Sequence, residues 1–361
     1  MPLIANTGLP GFSRLRQEGE EVLEQDRAQH QDIRELHIGL LNMMPDAALE
    51  VTERQFMRLV GGCNRIAQFY VYPFSVPEIP RGEKARAHIE QYYFDFEELK
   101  NQGLDALIIT GAIPGPHLED EPFWNPLGEV LEWAKQSVTS TICACLATHA
   151  VMKYFWGIDR KPLGFKRWGV FSHRHMQPHP LVRNINSRFD VPHSRFNEIF
   201  PSQMAEKDIR ILIESEEAGV HLAVSPDQFR FVFFQGHPEY DQNSLLKEYK
   251  REVVRFANGD IDKYPPFPEH YLTYRGEFLL AEFRDRLMAA SDRLAVLSDF
   301  PEKDAEAETE YTWGDTGKIV FNNWLGLVYQ ITGTERSEPF MDGIDPLDPL
   351  GLNRAEHEQQ D

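Results

Sequence analysis

STICACLATHAVMKYF, residues 140–155, is the stretch on which the fold turns. Its first five residues are small, β-branched or sulfur-bearing and suit a buried strand. From Leu146 the apolar positions recur at helical spacing until Gly157 halts them. Cys145 therefore stands where a strand turns into a helix. A thiol in that place gains from the helix dipole and from free backbone N–H groups, both of which favour the thiolate. Ala144 and Ala147 are the small neighbours that a sharp turn needs. The placement is that of a nucleophile elbow, although the glycines usual around one are missing. A free cysteine is more often a small buried hydrophobe, and Cys143, two residues back in the strand, keeps that reading.

Working outward, ELHIGLL (35–41), IAQFYVYPF (66–74) and DALIIT (105–110) are short apolar runs, and 48–60 and 127–136 are amphipathic helical patterns between or after them. Strand and helix taking turns predict an α/β fold with a doubly wound, mostly parallel sheet. DIRILIES (208–215), GVHLAVS (219–225) and FRFVFFQ (229–235) read as further strands, and 243–256 as a helix. Beyond residue 260 a Pro-rich turn leads to a charged helical stretch at 277–297. An acidic run, DFPEKDAEAETE (299–310), then reads as a mobile linker, and KIVFNNWLGLVYQIT (318–332) as a docking helix. The expected organisation is an N-terminal arm (1–34), an α/β catalytic domain (35–260), a C-terminal helical extension (261–333) and a flexible tail (334–361).

Composition narrows the function. With 57 acidic against 37 basic residues the formal charge is −20, which repels polyanions and argues against nucleic-acid binding. A CoA-type ligand would need a local basic patch. Arg160, Lys161, Lys166, Arg167 and Arg174 form one, although on composition alone it reads as a solvated loop. No apolar run has the ~18 residues of a membrane span, no signal-like start is present, and Cys63, Cys143 and Cys145 are few and badly spaced for disulfides. A soluble, cytoplasmic protein is expected. No metal is expected either, since His173 and His175 come without a matching metal-binding element.

His237-Pro238-Glu239 follows the strand FRFVFFQ, at the end where open α/β sheets bind ligands. Glu239 is placed to reach the ring nitrogen that chemistry does not use. Cysteine, histidine and carboxylate from the ends of two strands make a nucleophile, a base and an orienting group. The turn Thr110-Gly111-Ala112 and the N–H of Leu146 offer donors for an oxyanion. His149, one helical turn past Cys145, is read as a packing residue.

LLNMMP (40–45), ERQFMRLV (53–60), DALIITGA (105–112), VTSTICACLATHA (138–150), GVFSH (169–173), VPHSRFNE (191–198), ESEEAGV (214–220), FFQGHPEYD (233–241), EYKRE (248–252) and FNNWLGLVYQIT (321–332) lie in one order, and with them residues 35–332 resemble the homoserine O-succinyltransferases. The resemblance implies a fold like that of the class I glutamine amidotransferases (flavodoxin-like) and a ping-pong transfer in methionine biosynthesis, from succinyl-CoA to L-homoserine. Cys145 would carry the acyl thioester, His237 would accept the proton, and Glu239 would be its partner. It further implies Lys166, Ser194 and Arg251 as substrate-binding residues, Arg251 toward the amino acid's carboxylate, and Gly115 as the position that selects the acyl group. No permanently bound cofactor and a homodimer go with it. The chain departs from the family's pattern at Asp46-Ala47-Ala48, where lysines are usual, in the elbow CACLATH, and in an insertion at about 271–310. Alternatives left open are acetyl-CoA or another hydroxy amino acid in the same chemistry, a hydrolase or amidotransferase, and a non-catalytic binding protein on the same fold.

Overall fold

The computed structural model describes residues 3–29, 33–63, 67–113 and 115–353. Parts of the expected arm (1–2, 30–32), the start of IAQFYVYPF at Ile66, and the end of the tail (354–361) lie outside the described residues.

Eleven strands form one sheet. In chain order they are β1 (Leu3–Ala5), β2 (Val22–Glu24), β3 (Glu35–Leu41), β4 (Gln68–Phe74), β5 (Ala106–Ile109), β6 (Ser140–Ala144), β7 (Lys161–His175), β8 (Phe189–Glu198), β9 (Arg210–Ser215), β10 (Gly219–Val224) and β11 (Phe231–Phe234). Their spatial order is β2-β1-β4-β3-β5-β6-β11-β10-β9-β7-β8. Pairing is parallel from β2 through to β11 and antiparallel from β11 outward.

Because side chains alternate across a strand, each central strand feeds two cores. Ile108, Ile142, Ala144, Val232 and Phe234 enter one, with Phe56 and Met57 of the helix Leu49–Gly61 and Phe321 and Trp324 of the helix Gly314–Ile331. Ile109, Cys143, Phe231 and Phe233 enter the other, with Leu127 and Leu131 of the helix Trp124–Ser137 and Ala147 and Val151 of the helix Leu146–Trp156. Helices thus cover both faces, the α/β doubly wound arrangement expected. No helix among the described residues is long and apolar enough to cross a membrane.

The structure differs from the expected organisation in four places. Residues 3–29 of the expected arm are part of the sheet domain: β1 and β2 extend the sheet, and Leu3, Ile4, Phe12 and Leu15 are buried. The acidic run contains a short helix, Glu302–Glu306, with Ala305 and Phe300 buried, and Thr309 bridges Leu272. Its carboxylates also tie it down, since Glu306 accepts from Asn243, Glu308 accepts from the Thr273 hydroxyl and Glu302 pairs with Lys250, so the acidic run is an ordered part of the extension. The tail up to residue 353 is anchored by buried Phe340, by Met341 N–H donating to the Ile331 carbonyl at 2.9 Å, and by the Thr139 hydroxyl donating to the Pro339 carbonyl. The basic stretch is not a loop either, because it opens β7, whose antiparallel partner is β8.

A third core holds the extension to the helix Ser244–Asn258 through Tyr249, Val253, Tyr271, Leu280, Phe283 and Trp313. Trp313 Nε1 donates to the Tyr240 carbonyl at 2.9 Å, and the Tyr271 hydroxyl donates to the Gln242 carbonyl. The insertion therefore braces the loop that follows β11.

Candidate active site

β6 and β11 are parallel neighbours, with Ala144 opposite Phe234. Chemistry-bearing residues just past those two positions must meet. Cys145 takes φ 51° and ψ −109°, a conformation that costs a non-glycine residue about 1–3 kcal/mol and persists only where surroundings enforce it. They do so here. Cys145 N–H donates to the Phe234 carbonyl at 2.7 Å, and the Thr148 hydroxyl bonds the carbonyls of Cys143 (2.7 Å) and Phe234 (3.0 Å). Cys145 is half-buried at the head of the helix Leu146–Trp156, whose first N–H groups, Leu146 among them, have no intrahelical acceptor. Cys143 is fully buried, and burial pushes its thiol well up.

From the other strand, His237 is fixed by its N–H to the Pro192 carbonyl at 2.8 Å and by Tyr240, whose ring stacks on it at 4.2 Å between centroids. Its Nδ1 lies 2.7 Å from Glu239 Oε1. That leaves Nε2, buried and without a hydrogen-bond partner among the described residues, as the ring nitrogen available to the nearby Cys145 side chain. Contacts of this kind are often long in a resting site and tighten around substrate. Burial disfavours a charged ring, but the Glu239 carboxylate and the charge of Cys145 outweigh it and hold His237 well above its ordinary value. Gly236 has no room for a side chain, since a Cβ there would lie 2.7 Å from Val191 Cγ1, 2.8 Å from His221 Nδ1 and 2.9 Å from His193 Nε2.

Gly111 follows β5 and borders Cys145; a Cβ at Gly111 would sit 3.6 Å from Cys145 Cβ and 3.5 Å from Met44 Sδ. Thr110 shapes this corner, its hydroxyl accepting from Met43 N–H at 2.9 Å. Ala112, next along, packs half-buried on the second core. Asp46, in the segment that departs from the family's pattern, accepts from Gly82 N–H at 2.8 Å and is paired with Arg81, which also donates to the carbonyls of Asn42 and Met44.

Lys166 and Ser194 come together on Glu248, a residue the sequence reading passed over. Lys166 Nζ lies 3.0 Å and the Ser194 hydroxyl 2.6 Å from Glu248 Oε2, while the Tyr240 hydroxyl donates to Oε1 at 2.7 Å. Burial alone would raise Glu248, yet Lys166, Ser194 and Tyr240 together hold it below its usual range. Tyr240 thus ties this cluster to the loop that carries His237. A signal for both residues was present, in HPEYD and EYKRE. Arg251 is not brought to this cluster: its side chain is 52% exposed and its nearest acidic partner is Glu252, at 3.6 Å. Gly115 is exposed and its N–H donates to Glu121. His149 packs in the core, its Nε2 3.0 Å from Gln235 Oε1, and burial pushes it down to about 3. Of the HRH pair, His173 is buried against His193. Glu217, Glu269 and His270, all exposed, are the one trio of metal-ligand side chains among the described residues close enough to share an ion.

The family model for homoserine O-succinyltransferase matches residues 2–334. Over 354 residues the chain is 59% identical to the homoserine O-succinyltransferase of Methylobacter tundripaludum, covering 98% of this chain and 100% of that one. It is 58% identical over 356 residues to the homoserine O-succinyltransferase of Thiothrix nivea, covering 98% and 99%. Among solved structures, a glutamine amidotransferase from Thermotoga maritima is similar at TM-score 0.41 and 12% identity, covering 83% of this chain and 99% of that one. With a family model and near full-length relatives in agreement, the chain belongs to the homoserine O-succinyltransferase family.

Proposed function

We propose that this acyltransferase carries a succinyl group from succinyl-CoA to the hydroxyl of L-homoserine through a thioester on Cys145, the succinylation step of methionine biosynthesis. In the first half-reaction the Cys145 thiolate attacks the thioester carbonyl of the donor. The N–H groups of Leu146 and of the Gly111-Ala112 turn hold the oxyanion, and CoA leaves as a thiolate that takes up the proton of His237. In the second, His237 Nε2 removes the hydroxyl proton of homoserine, whose oxygen attacks the acyl-enzyme and releases the Cys145 sulfur. Glu239 keeps the ring oriented and stabilises its charged form in both. Lys166, Ser194 and Glu248 form one wall of the acceptor site, and Arg251, on the same helix as Glu248, swings in to pair with the acceptor's carboxylate. A homodimer in the cytoplasm is the expected working form.

One observation carries this reading: Cys145 is held at a positive φ on a helix N-terminus, beside a buried histidine whose far nitrogen is already taken by a carboxylate. The test is exchange of labelled CoA into succinyl-CoA without homoserine. A thioester intermediate requires exchange, and Cys145→Ala must abolish it. Exchange that appears only once homoserine is added would rule out the two-step route.

A further inference from the structure

Arg160 lies between the helix Leu146–Trp156 and β7, and its guanidinium reaches back to the loop after β5. Nη2 donates to the Gly115 carbonyl at 2.7 Å and to that of Pro116 at 3.3 Å. Those two bonds use one nitrogen, leaving the Nε and Nη1 donors without a described protein acceptor. Arg54, Arg58 and Arg195 all pair with carboxylates. Arg160 forms no such pair among the described residues, although the chain carries 57 acidic side chains. It is half-buried, and burial lowers it from its ordinary value. The loop whose carbonyls it holds continues from Gly111, where a Cβ would lie 3.6 Å from Cys145 Cβ, and the charges of Glu121 and Cys145 both act on the guanidinium.

A partly desolvated guanidinium with a free two-nitrogen edge favours a planar, bidentate anion. Two anionic parts of a succinyl-CoA donor are candidates. The phosphates sit at the far end of the long pantetheine arm, whereas the free carboxylate of the acyl group is only a few bonds from the carbon that Cys145 attacks. Reach from Cys145 selects the carboxylate.

We propose that Arg160 sets acyl specificity by binding the distal carboxylate of the succinyl group, on the donor and again on the acyl-enzyme. This rests on the acyl-transfer reading above. It also gives position 115 a physical role. A Cβ at Gly115 would lie 2.8 Å from Glu121 Oε1, so any side chain there disturbs the loop that Arg160 holds, and an acidic one supplies an internal anion that occupies Arg160.

The experiment compares kcat/KM for succinyl-CoA and for butyryl-CoA, which has the same chain length and a methyl group in place of the carboxylate. Arg160→Met should lose about 100-fold with succinyl-CoA and change little with butyryl-CoA. Arg160→Lys, which keeps the charge but not the fork, should fall between, and it carries the comparison if the methionine variant does not fold. Gly115→Glu should shift the ratio in the same direction as Arg160→Met. An equal loss with both donors would make Arg160 a loop support and overturn the proposal, as would no loss with either. A wild-type protein that shows no covalent adduct, with the selective loss still present, would remove the thioester and leave Arg160 in its role.

Discussion

The proposed catalytic trio and the proposed acceptor wall are joined through Tyr240 but are built differently. Cys145 and His237 follow directly from the backbone: two neighbouring parallel strands end in register, and each presents its residue within three positions of the last pair. Lys166, Ser194 and Glu248 come from β7, β8 and a helix, and only their side chains join them, around one buried carboxylate. Register is expensive to change and a rotamer is not. The placement of Cys145 and His237 is therefore fixed by the fold, the cluster on Glu248 is held by side-chain bonds alone, and the exposed Arg251 is free to adjust around substrate.

The largest effect that could break this contrast is at Cys145, the proposed nucleophile. Cys145→Ala should lower kcat by more than about 10³-fold, as removal of a nucleophile does elsewhere, while Cys143→Ala in the same strand should stay within a factor of about three. Comparable losses from both would mean that strand packing, and not a nucleophile, was being read.

Glu239→Gln comes next, with kcat expected to fall by about 10²–10⁴-fold. Its sign in pH follows from His237, which Glu239 helps to hold above its ordinary value. Without the carboxylate the ring loses its proton at lower pH, so the alkaline limb of kcat/KM for the donor should move down. An unmoved limb would separate Glu239 from the histidine.

A third test concerns the scaffold behind the trio. His173 and His193 lie 3.1 Å apart with His221 beside them, and all are buried. Burial pushes His173 down to about 4 and holds His193 and His221 well below their ordinary value. An unfolded chain takes protons at these rings near pH 6.5, whereas the folded protein does not, so stability present above that pH is lost as pH falls toward about 4. Urea midpoints should be flat just above neutrality and drop steeply across that window; a flat profile down to pH 4 would contradict the buried neutral cluster.

The smallest effect belongs to the exposed Arg251, outside the cluster on Glu248. Arg251→Met should raise KM for homoserine by about tenfold, the worth of one exposed charge-assisted contact, and leave formation of the acyl-enzyme unchanged. Slower acylation would place Arg251 on the donor side.

How much of this was legible in the sequence follows the same contrast. The strand-to-helix turn at Cys145 and the strand end before His237 announce themselves locally, through apolar runs, a helical period and small residues. β7 and β8 do not. Lys161–His175 has charged residues on its exposed part and pairs with β8 and β9, so its order comes from distant partners and not from its own pattern. The N-terminal strands are only three residues each and gain their stability from an existing sheet edge. Glu248 drew no notice because nothing near it in sequence reveals Lys166 or Ser194, and Arg160 looked like one more residue of a basic loop.

The most direct measurement is the intact mass of the purified protein after mixing with succinyl-CoA in the absence of homoserine, beside the Cys145→Ala variant. The expected result is a single added succinyl group that maps to Cys145, is absent from the variant, and disappears from the wild type when homoserine is supplied. An unmodified wild-type protein that nevertheless turns over both substrates, or an adduct that survives in Cys145→Ala, would contradict the thioester on Cys145.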